Sequence, residues 1–538
     1  MFTRRKPNKT GSISVQVINK YRGRSIVVKS FGTGRCEAEL CDLESKARRY
    51  IRQQQGLTNS LFPDPLEKYI EDFVSTLSNG HIRLVGPELI FGALYDKIGY
   101  KTINDELFRH LVITRMFNPG SKLKTIDYLY RYQGQSYSPD KIYRFLDNLC
   151  YRKETEAKTE TETETETEAK TEKEKEKKPD IKTKVEEIAY SHTCKVLGGP
   201  PAIIFYDMTT LYFESSDEDD LRKTGFSKDG KHRCPQIFLG LLVSLGGNPI
   251  GYDIFEGNIF EGNTLIPILK QMQNKFLLDK PIVVADSGLL SNENIRLLEK
   301  DKYEYIIGAR PKNESEEIKK KILSFSMKDG QVRLINKNKT RRLVLSMSDK
   351  RARKDAYNRS KGLERLKKRI GSGKLTKSSI NNRGYNKYLR MEGDVEISID
   401  MEKYNQDAFW DGIKGYMTNT RLSGKRVIDN YNNLWFIERA FRINKTDLRI
   451  RPIYHRLRNR IEGHICICFT AYTILLELER MLKQAKSTIT INRAQELVKN
   501  MYCLNYHMPE TNKYETRVLN MDKEQEELYH LILKWMKK

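Results

Sequence analysis

Between residues 202 and 309 the chain reads as five strands and two helices in the order βββαβαβ, an order that few architectures accommodate. The strand segments are 202–207, 236–245, 249–256, 281–286 and 303–309, and the helical ones are 263–275 and 292–300. Three sequential strands predict antiparallel neighbours, and the helical crossovers that follow predict a mixed sheet in an α/β fold. Two of these strands end in an aspartate: Asp207 after Ala202-Ile203-Ile204-Phe205-Tyr206, and Asp286 after Pro281-Ile282-Val283-Val284-Ala285. A carboxylate delivered by an apolar strand is costly to bury unless something binds it. Singly, such an acid is often only a turn or cap residue, so the pair gains meaning from any further acid that the fold brings alongside.

The flanks divide the chain further. Residues 1–60 read as a β-hairpin and a helix, with alternation over Ser12 to Ile18, a turn at Arg22-Gly23-Arg24 and a helix over about 37–54. Residues 61–152 are helical: Leu107, Leu111, Val112 and Met116 recur at helical spacing, Asn118-Pro119-Gly120-Ser121 interrupts, and Leu123, Ile126 and Leu129 resume. With Lys122, Lys124, Arg131 and Lys141 nearby, this pair fits either a DNA-reading helix-turn-helix or plain helix packing. Residues 153–180 are a Glu/Thr/Lys tract with nothing large and apolar to offset the entropy of ordering, hence a linker. The first half of the core is expected over 181–309, a β-rich basic insertion over 310–410, the second half over 411–482 and a helical tail over 483–538.

Charge points to the partner. The 538 residues carry 96 Lys and Arg against 71 Asp and Glu, a net +25, which favours a polyanion and puts nucleic acid ahead of an acidic membrane surface. Residues 350–374 are especially basic and include Lys350, Arg351, Arg353 and Lys354, which predicts a helical arm able to grip phosphates. No apolar run approaches membrane-spanning length, and no secretion signal is read at the N-terminus. Eight scattered cysteines without zinc-ligand spacing fit a reducing, cytoplasmic compartment, close to the nucleoid if DNA is the partner.

From Asp429 to Lys445 the pattern reads as one helix. Tyr431, Glu438 and Lys445, spaced by sevens, fall within about 40° of one another at ~100° per residue, with Arg442 close to the same stripe. Leu434, Ile437 and Phe441 form the neighbouring apolar face. The expectation is a glutamate on an exposed line between an aromatic hydroxyl and two cations.

Asp207, Asp286 and Glu438 are thus three carboxylates that a mixed sheet and a helix across it could bring together. Converging carboxylates suit two Mg²⁺ ions, with Mn²⁺ as a substitute and Asp207 as the bridging ligand. In such sites, ions about 3.5–4 Å apart activate the attacking hydroxyl and stabilise the leaving oxygen. No histidine or cysteine cluster competes.

Together, Tyr206-Asp207-x-Thr209, Ala285-Asp286-Ser287-Gly288 and Tyr431-x6-Glu438-x6-Lys445 resemble the DDE transposases of bacterial insertion sequences. The resemblance is to the branch with a Tyr-x2-Arg-x3-Glu-x6-Lys signature and a β-strand insertion before its glutamate. Asp411-Gly412 and Thr418-Asn419-Thr420 before the signature agree, as does Arg451-Pro452-Ile453-Tyr454-His455 after it. The match covers about 200–480 well and the N-terminal third more loosely.

The resemblance implies a ribonuclease-H-like core and Mg²⁺-dependent hydrolysis at transposon ends, followed by attack of the freed 3′-hydroxyl on target DNA. It implies double-stranded DNA as partner, a homodimer on paired terminal repeats, no small-molecule substrate and no membrane. Tyr431 and Lys445 would contact the DNA backbone near the cut. The signature's arginine falls on Leu434, so its phosphate contact is lost or passes to Arg439 or Arg442. Trp410 and Trp435 are candidates for stacking on an extruded base, with core packing the expected role of each. Two rival readings are a non-catalytic DNA-binding descendant of a transposase and a two-metal nuclease without strand transfer.

Overall fold

Alternating residues at the N-terminus build three antiparallel strands, β1 (Phe2–Pro7), β2 (Ile13–Tyr21) and β3 (Arg24–Gly34), in the order β1-β2-β3. The expected hairpin is β2–β3. β1 is the addition, and its basic Thr3-Arg4-Arg5-Lys6 carries no apolar alternation because pairing to β2 holds it, with Arg5 opposite Val15. Helix α1 (Glu37–Gln54) sets Leu40 and Ala47, two turns apart, on Val15 and Val17. Helix α2 (Pro65–Thr76) follows.

The computed structural model describes residues 1–8, 12–21, 23–34, 37–54, 65–150, 180–227, 230–276, 280–372, 375, 380–381, 384–392, 396–508 and 513–537. Residues 1–81 with 505–515 form one compact unit, and 82–504 with 516–538 a second. The Glu/Thr/Lys tract lies outside the described residues, apart from Asp180.

The second unit opens with β4 (Ile82–Leu84), α3 (Ala93–Ile98), α4 (Glu106–Phe117), α5 (Lys122–Tyr128), α6 (Pro139–Leu149) and α7 (Ile181–Leu197). Asp105, Ser121, Ser138 and Asp180 cap four of these helices, each side chain accepting a hydrogen bond from the helix's third residue. The sheet then begins with β5 (Ile203–Tyr212), β6 (Gln236–Ser244) and β7 (Pro249–Glu256). Next come α8 (Leu265–Phe276), β8 (Ile282–Ala285), α9 (Asn292–Lys300) and β9 (Tyr305–Ala309). The mixed sheet is as the sequence predicts: β5, β6 and β7 are antiparallel, and β8 and β9 join β5 in parallel.

Beyond β9 lie α10 (Glu316–Leu323), β10 (Val332–Asn336), β11 (Arg342–Met347) and the basic helix α11 (Asp349–Gly371). They are followed by β12 (Leu389–Glu392), β13 (Glu396–Ile399), α12 (Met401–Ala408) and β14 (Ile413–Thr418). Part of this insertion enlarges the core sheet. β14 pairs with β9, and β11 and β10 add on in turn, giving eight strands in the order β10-β11-β14-β9-β8-β5-β6-β7. Leu366, Tyr388 and Leu389 form a small separate cluster beneath α11.

The chain ends with α13 (Gly424–Asn432), α14 (Trp435–Thr446), α15 (Arg458–Gln484), α16 (Ile491–Leu497), β15 (Tyr502–Met508), β16 (Lys513–Val518) and α17 (Lys523–Met536). The tail read as helical thus contains two strands as well. β15 is held at Tyr502–Leu504 by antiparallel pairing with β4, a partner more than 400 residues away in sequence.

Strand alternation sorts the two faces of the sheet. Phe205, Leu211, Val284 and Ile306 share one core with α14 and α15; Ile204, Tyr206, Val283 and Ile307 face α8 and α9. By the same period of two, Asp207 and Asp286 fall on the α14 side. No helix among the described residues is long and apolar enough to cross a membrane.

Candidate active site

β8 pairs with β5 only over Ile203–Tyr206, with Ala285 opposite Tyr206. The next residue on each strand is an aspartate, Asp207 and Asp286. Neighbouring strands run about 4.8 Å apart, so the two acids start from adjacent backbone positions. β8 stops there, whereas β5 continues to Tyr212 on its antiparallel pairing with β6. Asp207 is therefore inside its strand and not at its end, as the sequence reading has it. Beyond it β5 has lost its parallel neighbour, and a crevice opens on that side.

That crevice is a cavity of about 400 Å³ whose walls include Asp207, Asp286 and Glu438. Tyr431 Oη donates a hydrogen bond of 2.9 Å to Asp286 Oδ1, and Asp207 Oδ1 accepts one of 2.7 Å from the amide of Met208. Burial, then the Asp286 carboxylate, pushes the Tyr431 phenol far above its ordinary range, so the hydroxyl remains a donor. Lys414 on β14 stands in the same wall, its Nζ 4.5 Å from the centre of the Tyr431 ring. Burial and Arg351 push the Lys414 ammonium down, and Asp286 and Glu438 act in the opposite direction. Gly308 on β9 makes room for this packing: a Cβ there would overlap Tyr431 Oη and stand 3.1 Å from the Ser287 amide.

The stretch read as one helix is two. Between α13 and α14 the backbone tightens to i→i−3 hydrogen bonds, from Leu434 N to Tyr431 O and from Ile437 N to Leu434 O, at 3.0 Å each. Such a turn advances about 120° per residue, which breaks the spacing by sevens. Tyr431 is consequently buried against Asp286, while Glu438 is exposed. The exposed line thus fails at Tyr431, whose hydroxyl is engaged by Asp286 in the cavity wall. Within α14, Glu438, exposed Arg442 and half-buried Lys445 keep their helical spacing.

Arg439, one candidate for the missing arginine's role, is half-buried in a 2.5 Å ion pair with Glu479 on α15. Leu434 is buried in the cavity wall. Trp435 departs from the core packing expected of it, being 49% exposed at the cavity with its indole 4.2 Å from the Phe436 ring. Trp410 is half-buried against the α8–α9 side of the core.

A groove of about 730 Å³ adjoins the cavity and shares Arg351, Lys414 and Asn432 with it. Lys350 and Lys354 of α11 and Lys425 of α13 line it as well, whereas Arg353 is exposed but outside it. Sequence reasoning finds Lys350, Arg351 and Lys354 but misses Lys414 and Lys425. Lys414 is a single cation in an apolar strand, between the Asp411-Gly412 and Thr418-Asn419-Thr420 flanks that the sequence does single out.

The donor set suits a hard divalent cation, since three carboxylates open onto one cavity. They stand apart, however: among the described residues no group of three or more His, Cys, Asp or Glu side chains is gathered closely enough to hold a metal ion.

Residues 198–474 match the family described as the transposase DDE domain. The chain belongs to this family. The matched span of the transposase opens just before β5 and closes within α15, so it contains Asp207, Asp286, Glu438 and the insertion between the last two. Among solved structures, one similar to this transposase is the piggyBac transposase synaptic complex with hairpin DNA. Identity there is 11%, the TM-score 0.37, and the match covers 77% of this chain and 76% of that one. Another is the Mos1 transposase paired-end complex with left transposon end, at 12% identity and TM-score 0.15, covering 37% of this chain and 57% of that one. No curated protein sequence matches.

Proposed function

We propose that this transposase binds the terminal inverted repeats of an insertion sequence, hydrolyses the DNA at its ends and joins the freed 3′-hydroxyls to target DNA. Its catalytic carboxylates are Asp207, Asp286 and Glu438, on a ribonuclease-H-like core. The observation that carries this reading is the placement of two aspartates next to each other on β5 and β8, facing the helix that supplies Glu438 into the same cavity.

Mg²⁺, or Mn²⁺ in its place, would be held by these three side chains once DNA draws them together, and would supply Lewis acidity at the attacking and leaving oxygens. The protein's own groups prepare that arrangement. Tyr431 fixes one oxygen of Asp286 by its hydrogen bond and so holds that carboxylate in the cavity wall. Lys414 and Arg351, the cations in the cavity wall, offset repulsion between the carboxylates and an incoming phosphate. Lys350, Lys354 and Lys425 carry the DNA backbone along the adjoining groove, and Arg442 and Lys445 continue the contact along α14. Trp435 offers a stacking face at the site where the strand is opened. Work on two ends at once calls for a homodimer, acting in the cytoplasm at the nucleoid.

One observation favours the non-catalytic reading: the acids are not gathered into a metal-holding cluster. The test is incubation of the protein with Mg²⁺ and a duplex carrying the DNA that flanks its gene. Strand scission at the element's ends, lost in Asp207→Ala, supports transposition. Tight binding of the same duplex by the wild type with no scission favours the non-catalytic reading.

A further inference from the structure

A second cavity, of about 440 Å³, lies where the α4–α5 turn meets the chain between α14 and α15. Its walls carry Arg115, Lys122, Arg449, Arg451, His455 and His464, and no residue lining it is acidic. Lys122 and Arg115 are only 8% and 7% exposed. Charges buried this deeply are costly unless a counter-charge accompanies them.

Around Arg115 the protein supplies two carbonyls and the His464 ring instead. Arg115 donates from Nη1 to Gly120 O (2.9 Å) and from Nη2 to Arg449 O (3.2 Å), and its Nε is buried without a hydrogen-bond partner. Burial, with Arg115 adding to it, pushes the Lys122 ammonium down to about 7. Burial, with Lys122, Arg460 and Arg115 adding to it, pushes His455 down to about 3. The acid that acts on His455, Asp147 of α6, is already paired with Arg460 at 2.7 Å.

We infer that this cavity is a second phosphate site, in which Lys122, Arg115 and Arg451 grip one backbone phosphate of the DNA. The inference rests on the proposed DNA-processing role. A phosphate replaces the missing counter-charge and gives the orphaned Nε an acceptor. The cavity is tied to the strand that carries Asp207: the Arg451 guanidinium lies 5.7 Å from the Tyr212 ring, and Ile453 N donates to Tyr212 O at 3.3 Å. Tyr212 closes β5 five residues after Asp207, about 17 Å at ~3.4 Å per residue. That span along β5 equals the rise of about five base pairs of duplex.

The experiment measures binding of a labelled random-sequence duplex to full-length wild type, Lys122→Met and Arg451→Ala over a salt series, with thermal unfolding alongside. Each variant is expected to bind about tenfold more weakly, with a salt slope smaller by about one. Lys122→Met is also expected to unfold at a higher temperature, because an uncompensated buried charge is gone, and a misfolded variant would not do so. Unchanged affinity and salt slope in both variants overturn the inference. Inorganic phosphate separates the sources. If it raises the wild-type melting temperature but not that of Lys122→Met, while duplex affinity ignores Lys122, the site takes a free phosphate and the DNA assignment falls. Scission lost in Asp207→Ala concerns the acid cavity alone, so either reading can fail while the other stands.

Discussion

Tyr431 spends its hydroxyl on Asp286, donating to Oδ1 at 2.9 Å from a buried position on α13. The tightened turn at Asn433-Leu434 takes Tyr431 out of the exposed stripe and sets it against this carboxylate, which on the proposed function it orients. Tyr431→Phe should therefore slow scission by about tenfold or more, the worth of a hydrogen bond to a charged group, while duplex affinity changes by less than about twofold. Single-turnover cleavage beside a binding titration separates the two effects.

Gly308 permits that contact. In Gly308→Ala the new methyl meets Tyr431 Oη and the Ser287 amide, with an expected loss of about 1–3 kcal/mol in stability and loss of scission. Combining it with Tyr431→Phe removes one of the colliding atoms, so the double variant should recover part of the stability. Urea unfolding of the four proteins closes the cycle.

The groove gives a charge-counting prediction. Replacing Lys350, Lys354 and Lys425 together by alanine should lower the salt slope of duplex binding by about three. Arg353→Ala, outside the groove, should change it far less. Anisotropy titrations across salt concentrations report both slopes.

Much of this was open to reading in the chain, and the reasons differ by element. The strands β5 to β9 announce themselves because they are buried on both faces and run nearly unbroken in apolar residues, and a glutamate at heptad distance from a tyrosine and a lysine is visible as spacing. The continuation of β5 past Asp207 was not readable, since Thr209 and Thr210 are held by β6 and not by local apolarity. The turn at Asn433-Leu434 contains neither glycine nor proline, the usual marks of a helix break. Lys414 reaches the acids only because the insertion's strands join the core sheet. The cationic cavity joins Arg115 to Arg449, 334 residues away, a distance no local pattern spans.

Acid should unfold the second unit partly through Glu477 on α15. Burial raises this carboxyl, but hydrogen bonds from His192 (3.1 Å) and Arg480 (2.8 Å) outweigh burial and hold it at about 2, against an ordinary 4.5. A depressed carboxylate contributes stability above its unfolded pKa and loses it as pH falls through the folded one. The window is thus about pH 4.5 down to about 2, and the contribution is on the order of 3 kcal/mol. Glu477→Gln should be less stable at pH 7 and show a flatter decline across that window, as followed by urea midpoints at each pH.

The most direct measurement compares scission of the element's ends in Mg²⁺ by wild type, Asp207→Asn, Asp286→Asn and Glu438→Gln, with duplex affinity determined for each. The expected result is that every single substitution abolishes scission while each protein still binds the duplex at least as tightly as the wild type, since a negative charge has been removed beside the phosphate. Scission that survives any one of the three substitutions would contradict the assignment of these carboxylates as the catalytic group.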